Sequence, residues 1–371
     1  MCLSDEKSLN INRRGFLKTA GMGAAAMALT GLTGNTEAAI ASSLEKKVGA
    51  AEKKTTKVID LEAHFHSNEY LKYLKSKGME NSKHSTASML DVGAARIEAM
   101  DKAGVDIQVL NAGPPDIQQM DAEEGTKWAR IINDELSEII KEHPNRYAGF
   151  ASIAPQDPEK AAEELDRAVT KLGLKGVCLK SHAQGNYLDD KKYRSIFQVA
   201  EKYDVPIFLH PAPPSEDMLK AYSGYNGALE GPVWGFAADT SLHVMRLIMS
   251  GLFDEYPNLK IILGHMGEGL PFWLSRIDFF SKRGGGQTPG LKKNPSEYIL
   301  SNFTVGISGM CYGPAFSCAF MGMGADHIAF ATDYPHEDSA ETIEFIKGLH
   351  ISPGDREKIF HSNAEKLLHL S

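Results

Sequence analysis

Short runs of β-branched and other apolar residues alternate with helix-patterned segments along this chain, from about Lys57 to the C-terminus. "KVIDLEA" is followed, after a polar excursion, by a helical run from about Leu90 to Lys102, and "DIQVLNAG" by a long amphipathic run from Ala122 to Glu142. "YAGFASIA" precedes "DPEKAAEELDRAVTKL", in which Asp157 and Pro158 read as an N-cap and a first helical position. "GVCLKSH" leads to a helix around Tyr193 to Lys202, and "VPIFLHP" opens a long loop before a helix from about Ala237 to Met249. "LKIILGH", "SNFTVGIS" and "IAFATDYPHED" precede helices around Phe272 to Phe280, Pro314 to Met323 and Ala340 to Leu349. Eight strand candidates, each followed by a helix, predict parallel βα units. Eight such units over roughly 300 residues predict an α/β fold, a TIM-type (β/α)8 barrel. An open doubly wound sheet is the alternative, but it would carry a Gly-rich phosphate turn after an early strand, and none is present. The last segment, "DREKIFHSNAEKLLHL", is amphipathic and is expected to pack as a helix on the outside of the barrel. The loop from Pro211 to Gly235 is long enough to be a lid or a pocket wall.

Residues 1–41 read as an export signal, 42–56 as a polar linker and 57–371 as the barrel domain. Arg13 and Arg14, the Phe16-Leu17-Lys18 that follows and a soft apolar run from Thr19 to Leu32 resemble a twin-arginine export signal. Small residues near Ala38 to Ala41 offer a cleavage site, and the implied destination is periplasmic. A retained membrane anchor is the alternative, although the run is short and Gly-rich for a span, and no stable membrane insertion is expected once the signal is removed. That route carries folded proteins, so a metal could be loaded before export, away from copper and zinc that would fill the site wrongly. A formal charge of −8 provides no basic footprint for nucleic acid or anionic membrane. Cys2, Cys178, Cys311 and Cys318 form no disulfide framework and are expected to be free, buried thiols, the alternative being a Cys311–Cys318 pair formed after export.

In such a barrel the active site lies at the C-terminal ends of the strands. Glu62 and His64 stand at the end of the first, Lys180 and His182 of the fourth, His210 of the fifth, His265 of the sixth and Asp333 of the eighth. Taken singly, a histidine there could be a hydrogen-bonded core residue and Asp333 a helix cap. Together they predict one mononuclear metal site. Imidazole and carboxylate ligands suit one divalent ion, Zn, Mn or Fe, and a Glu among them favours a harder ion such as Mn. Strict alternation in "VIDLEAHFHS" would put Asp60, Glu62, His64 and His66 on one face. On that reading Asp60 lies one pleat deeper as an interior supporting residue, and His66 has passed into the loop.

"LEAHF", "FLHP", "ILGHMGEGLPFWLSRID" and "ATDYPHED" resemble the metal-dependent decarboxylase branch of the amidohydrolase superfamily. That branch includes 2,3-dihydroxybenzoate, γ-resorcylate, 5-carboxyvanillate and aminocarboxymuconate semialdehyde decarboxylases, and the resemblance runs from about Lys57 to the C-terminus. It implies Glu62, His64, His210 and Asp333 as ligands of one divalent metal, Zn or Mn. It also implies His265 and Asp333 as catalytic residues, with Glu268 orienting His265. Many relatives have His at the place of Glu62, and the Glu form is like that of the hydroxybenzoate decarboxylases. Arg276 matches an arginine that reaches the neighbouring subunit's site to grip a carboxylate, which implies a homodimer or higher homo-oligomer. His182 and Trp234 are candidate substrate contacts, and Phe236, Tyr312 and Tyr334 could line a ring pocket. The chain departs from several relatives at Ala212, where they carry arginine after "HP".

The implied activity is non-oxidative loss of CO2 from a hydroxylated aromatic, benzoate-type or related unsaturated carboxylic acid, a small-molecule partner. The alternative is a lactonase-like hydrolase, in which Lys180 would be carbamylated and bridge two metals. An exported binding protein that kept the pocket without turnover is a third reading.

Overall fold

The computed structural model describes residues 56–78, 87–283 and 290–370. The predicted signal and, but for Thr56, the predicted linker lie outside the described residues. Nine parallel strands form two ladders: β1 (Ile59–Phe65), β2 (Ile107–Ala112) and β3 (Tyr147–Gly149), then β4 (Ala151–Ser152), β5 (Val177–Lys180), β6 (Ile207–His210), β7 (Ile261–Leu263), β8 (Phe303–Gly306) and β9 (Ile328–Ala329). The two ladders are one wall. Phe150 N–H donates to Leu110 O while Ala151 N–H donates to Gly176 O, so β3 and β4 are halves of a single stave. Leu61 N–H donates to Phe330 O at 3.0 Å and His64 N–H to Tyr334 O at 2.8 Å, joining β1 to the chain beyond β9. The eight predicted strands therefore close into the predicted barrel, with no open edge.

The helices alternate with the strands and cover the barrel's outer face. The helix Ala122–Glu142 buries Trp128, Ile132, Leu136 and Ile139 and shows charge on its other side. Asp157 caps the helix Pro158–Thr170 by accepting from Lys160 N–H, with Pro158 in the first turn. The remaining predicted helices sit within a few residues of their expected limits, the largest extension being Leu270–Arg283.

The C-terminal segment departs from expectation. Instead of lying outside, Ala364, Leu367 and Leu368 of the helix Asn363–Leu368 join the interior cluster with Ile59, Phe208 and Ile262. Lys57, just before β1, pairs with Glu365 at 2.7 Å, so this helix plugs the end of the barrel opposite the candidate site. An apolar plug is favoured because the interior residues at that end present no polar partner to water. Cys178 is buried, whereas Cys311 is exposed and Cys318 partly so; all three are free.

The first strand also departs from simple alternation. Asp60 lies opposite Gln108 and Ala63 opposite Leu110, so Leu61 and Glu62 together face the single residue Val109. This bulge re-aims the strand. Leu61 stays in the interior cluster with Ile59, and Glu62 and His64 turn inward beyond it. Asp60 falls on the other side, in the layer between barrel and helices, where Gln108 takes a hydrogen bond from Arg96 Nε at 2.8 Å. It is fully buried and accepts from Thr332 N–H (3.0 Å), Thr332 Oγ1 (2.5 Å) and Glu62 N–H (3.2 Å). Burial pushes its pKa up to about 7 against these hydrogen bonds.

Asp60 therefore ties the residue before Asp333 to the residue that is Glu62. Asp60→Ala would strand two buried N–H groups and should cost about 2–4 kcal/mol in denaturant unfolding. Because the folded-state pKa lies above the unfolded value of about 3.9, the carboxyl's contribution is full below that value and is lost as pH rises through about 7. Asp60→Asn should remove that slope, so that the Tm difference between variant and wild type changes steadily between pH 4 and 7. A constant difference would refute this account of Asp60.

Candidate active site

At the C-terminal mouth, Glu62 and His64 of β1, His210 at the end of β6 and Asp333 beyond β9 each present one ligand atom, all within 4.8 Å of one another. His64 Nε2 is 2.7 Å from Asp333 Oδ1 and 3.3 Å from His210 Nε2, which is 3.6 Å from Glu62 Oε1. His210 Nδ1 lies 2.7 Å from the carbonyl oxygen of Pro211, which can only accept. Nδ1 therefore carries the proton and Nε2 offers a bare lone pair to the cluster. Glu62 Oε2 accepts from Ser308 Oγ at 2.5 Å, while Oε1 is buried without a hydrogen-bond partner. A bare imidazole nitrogen and an unanswered carboxylate oxygen aimed at one point fit a cation, and this set of two imidazoles and two carboxylates could hold one divalent ion.

Burial, then the charge of Asp333, raise the Glu62 carboxyl to about 7. Burial, then the charge of Lys180, lower His210 well below the ordinary range. A bound cation would reverse the first shift and use the neutral imidazole that the second favours. Gly264 keeps the slot open, since a Cβ there would stand 2.9 Å from Glu62 Oε2 and 3.3 Å from Ser308 Oγ.

Beside the cluster, His265 Nδ1 is 2.8 Å from Glu268 Oε1 and its Nε2 is 3.8 Å from Asp333 Oδ2. Burial disfavours the imidazolium, but Glu268 and then Asp333 outweigh it and raise the His265 pKa well above the usual range. Burial likewise opposes the Asp333 carboxylate, yet His265 and His64 hold its pKa well below the usual range. His265, Met266, Glu268 and Asp333 all have left-handed backbone, with φ of 48°, 55°, 54° and 57°. Non-glycine residues rarely adopt it, and at His265, Glu268 and Asp333 it accompanies side chains that meet, while Met266 packs into the core.

Other expected residues are placed differently. Both ring nitrogens of His182 are engaged, Nδ1 accepting from Gly185 N–H (3.0 Å) and Nε2 donating to Pro213 O (2.9 Å). It joins the loops after β5 and β6 and has no ring nitrogen to offer a substrate. Trp234 is 61% exposed at the N-cap of the helix Gly235–Met249. Arg276 is exposed, with its guanidinium 4.6 Å over the Phe280 ring, and forms no ion pair among the described residues. Tyr312 is exposed, Phe236 half-buried, and Tyr334 lies 4.6 Å under Arg96. His66 is buried beside Gly113. The loop from Pro211 to Gly235 contains a helix, Glu216–Tyr222, and a 3-10 turn, Tyr225–Glu230.

Two supporting residues escaped the sequence reading. Ser308 bonds both Glu62 and the main-chain N–H of His265 (3.2 Å), and its only signal was its place at a strand end, in "VGIS". Arg96 donates to the carbonyl of His64 at 2.7 Å and is 2% exposed. Its position four residues before Met100, on the buried face of its helix, was the available clue.

A family model described as amidohydrolase matches residues 59–370, and one for the twin-arginine translocation signal matches residues 10–30, which points to export by that route. Among the described residues no helix is long and apolar enough to cross a membrane. A γ-resorcylate decarboxylase of Polaromonas sp. (strain JS666) is 36% identical over 84% of this chain and 98% of its own. The crystal structure of 5-carboxyvanillate decarboxylase from Sphingomonas paucimobilis superposes with a TM-score of 0.80 at 32% identity, covering 85% of this chain and all of that one. A dihydroxybenzoic acid decarboxylase from Polaromonas sp. JS666, solved with manganese and the inhibitor 2-nitroresorcinol, gives 0.78 at 35% identity over 85% of this chain and 97% of that one. The match along nearly the whole barrel, with decarboxylases at this similarity, places the chain in the amidohydrolase family, on its decarboxylase branch.

Proposed function

We propose that the protein is an exported, metal-dependent, non-oxidative decarboxylase of a hydroxylated aromatic acid. The observation that carries this reading is the His265–Glu268 pair set against Asp333, beside four converging ligand atoms. Decarboxylase relatives over most of the chain support it and favour it over the lactonase alternative.

Direct departure of CO2 from an arene would leave an aryl anion, so the ring carbon must be protonated first. A divalent ion held by Glu62, His64, His210 and Asp333 would supply Lewis-acid charge to the substrate's carboxylate and neighbouring hydroxyl oxygens. His265, held as imidazolium by Glu268, is the proton source, and Asp333 Oδ2 stands 3.8 Å away as the second member of the relay. The proton adds to the carbon bearing the carboxylate. The C–C bonding pair then returns to the ring, CO2 leaves and aromaticity is restored.

We also infer a homodimer. Phe272, Trp273, Phe279 and Phe280 are 71%, 47%, 48% and 51% exposed on one helix, with Arg276 between them. So much aromatic surface on one helix fits a subunit contact better than water. We infer a periplasmic destination after signal cleavage, a reading that the twin-arginine signal at residues 10–30 supports.

His265→Asn should lower kcat for CO2 release by about 10²–10⁴ with metal content unchanged. If protonated His265 is the active form, activity falls as pH rises through its elevated pKa. Glu268→Gln should then move that alkaline limb to lower pH, and an unmoved limb would remove His265 from the relay. Chelation should abolish CO2 release from hydroxybenzoates, and Mn or Zn should restore it; hydrolysis of lactones with no CO2 released would overturn the assignment. Phe272→Ser with Phe279→Ser should convert the dimer to monomer in sedimentation analysis.

A further inference from the structure

Beside the ligand cluster, at the mouths of β2 and β5, lies a small cavity lined by Lys180, Asp116, Tyr70, Cys178 and Gly113, among others. Three atoms of its polar lining are unsatisfied: Lys180 Nζ, Asp116 Oδ2 and the Tyr70 hydroxyl are buried, and none has a hydrogen-bond partner among the described residues. Lys180 is 7% exposed and Tyr70 3%. No ion pair joins the two, and the positive charge of Lys180 opposes the rise that burial gives the Asp116 carboxyl. Other groups hold the pair in place, since Gln118 Oε1 accepts from Lys180 N–H at 2.8 Å and Asp116 Oδ1 from Gln118 N–H at 3.0 Å.

The cavity backs onto the candidate metal site. Lys180 is the register partner of His210, and a Cβ on Gly113 would stand 3.3 Å from the His66 ring and 3.6 Å from His64 Cβ. About 20 Å³ of space for water is room for roughly one oxygen atom. A carboxylate or nitro group is too large, and its oxygens would face the Asp116 carboxylate. A methoxy oxygen can accept from Lys180 but has nothing to donate to Asp116. One hydroxyl satisfies both, accepting from Nζ and donating to Oδ2. We propose that Lys180 and Asp116 are a specificity pair for a ring hydroxyl of the substrate, distinct from the oxygens that the metal would hold. This rests on the decarboxylase reading and narrows its substrate to acids with at least two ring hydroxyls.

The test compares binding of salicylate with binding of 2,3-, 2,4-, 2,5- and 2,6-dihydroxybenzoate to the metal-loaded mature protein and to its Lys180→Met and Asp116→Asn variants. One dihydroxy isomer should bind wild type at least about 10-fold more tightly than salicylate, as a charge-assisted hydrogen bond warrants. Both variants should reduce that ratio to within about threefold when compared at full metal loading, whereas a general loss of structure would weaken salicylate and the dihydroxybenzoates alike. A ratio that survives both substitutions, or no isomer preferred by wild type, would show that the cavity holds only water and would overturn the proposal. If no hydroxybenzoate binds or releases CO2, the decarboxylase reading itself fails, a result separable from a lost ratio.

Discussion

Closure of β1 against the chain beyond β9 is the constraint on which the site depends. Glu62, His64 and Asp333 come from opposite ends of the described barrel sequence, and crowding their polar atoms together is unfavourable without a cation. The wall supplies the force that holds them. Main-chain hydrogen bonds from Leu61 and His64, the Tyr334 N–H to Glu62 O contact and the Asp60–Thr332 latch all cross the same seam. Arg96 then secures the carbonyl of His64 from the helix layer, so this candidate ligand is fixed from behind as well as along the strand.

On the proposed function, the site divides between groups that would gather charge and groups that would move a proton. The cluster is starved of hydrogens: His210 spends its only proton on Pro211, and Glu62 Oε1 is left bare. Next to it, His265 sits between two carboxylates, one bonded closely and one further away. That asymmetry gives the imidazole a firm orientation from Glu268 and leaves Nε2 facing the reaction space. The left-handed backbone at His265, Met266, Glu268 and Asp333 is local strain that the surrounding barrel holds in place. Ser308 connects the two halves by touching Glu62 and the backbone of His265.

Much of this was legible in the chain. The βα rhythm determined the barrel, because a period-2 strand and a 3.6-residue helix leave different apolar patterns. Fixing the barrel also fixed where strand-end residues must meet, so the convergence of Glu62, His64, His210, His265 and Asp333 was legible from their places at strand ends. The Asp157–Pro158 helix start was readable for the same local reason. Residues whose role depends on a distant partner were not readable in this way. His182 stands at a strand end like the ligands, yet its ring is taken by Gly185 and Pro213, and Trp234 is turned to the surface.

The sequence by itself determined the order of elements, the candidate ligands and the chemistry those side chains can support, since these follow from residue type and local periodicity. Tertiary structure alone decided the rest. The bulge that moves Asp60 off the face of Glu62 depends on pairing with Val109, which no local pattern records. The C-terminal helix enters the interior because the barrel leaves an apolar opening there, although its amphipathic pattern would suit the outside equally well. The unanswered Lys180 and Asp116 stand side by side only because the end of β5 meets the loop after β2 at the mouth of the barrel. Register, closure and cavity are long-range properties, and an alternating sequence is compatible with several of each.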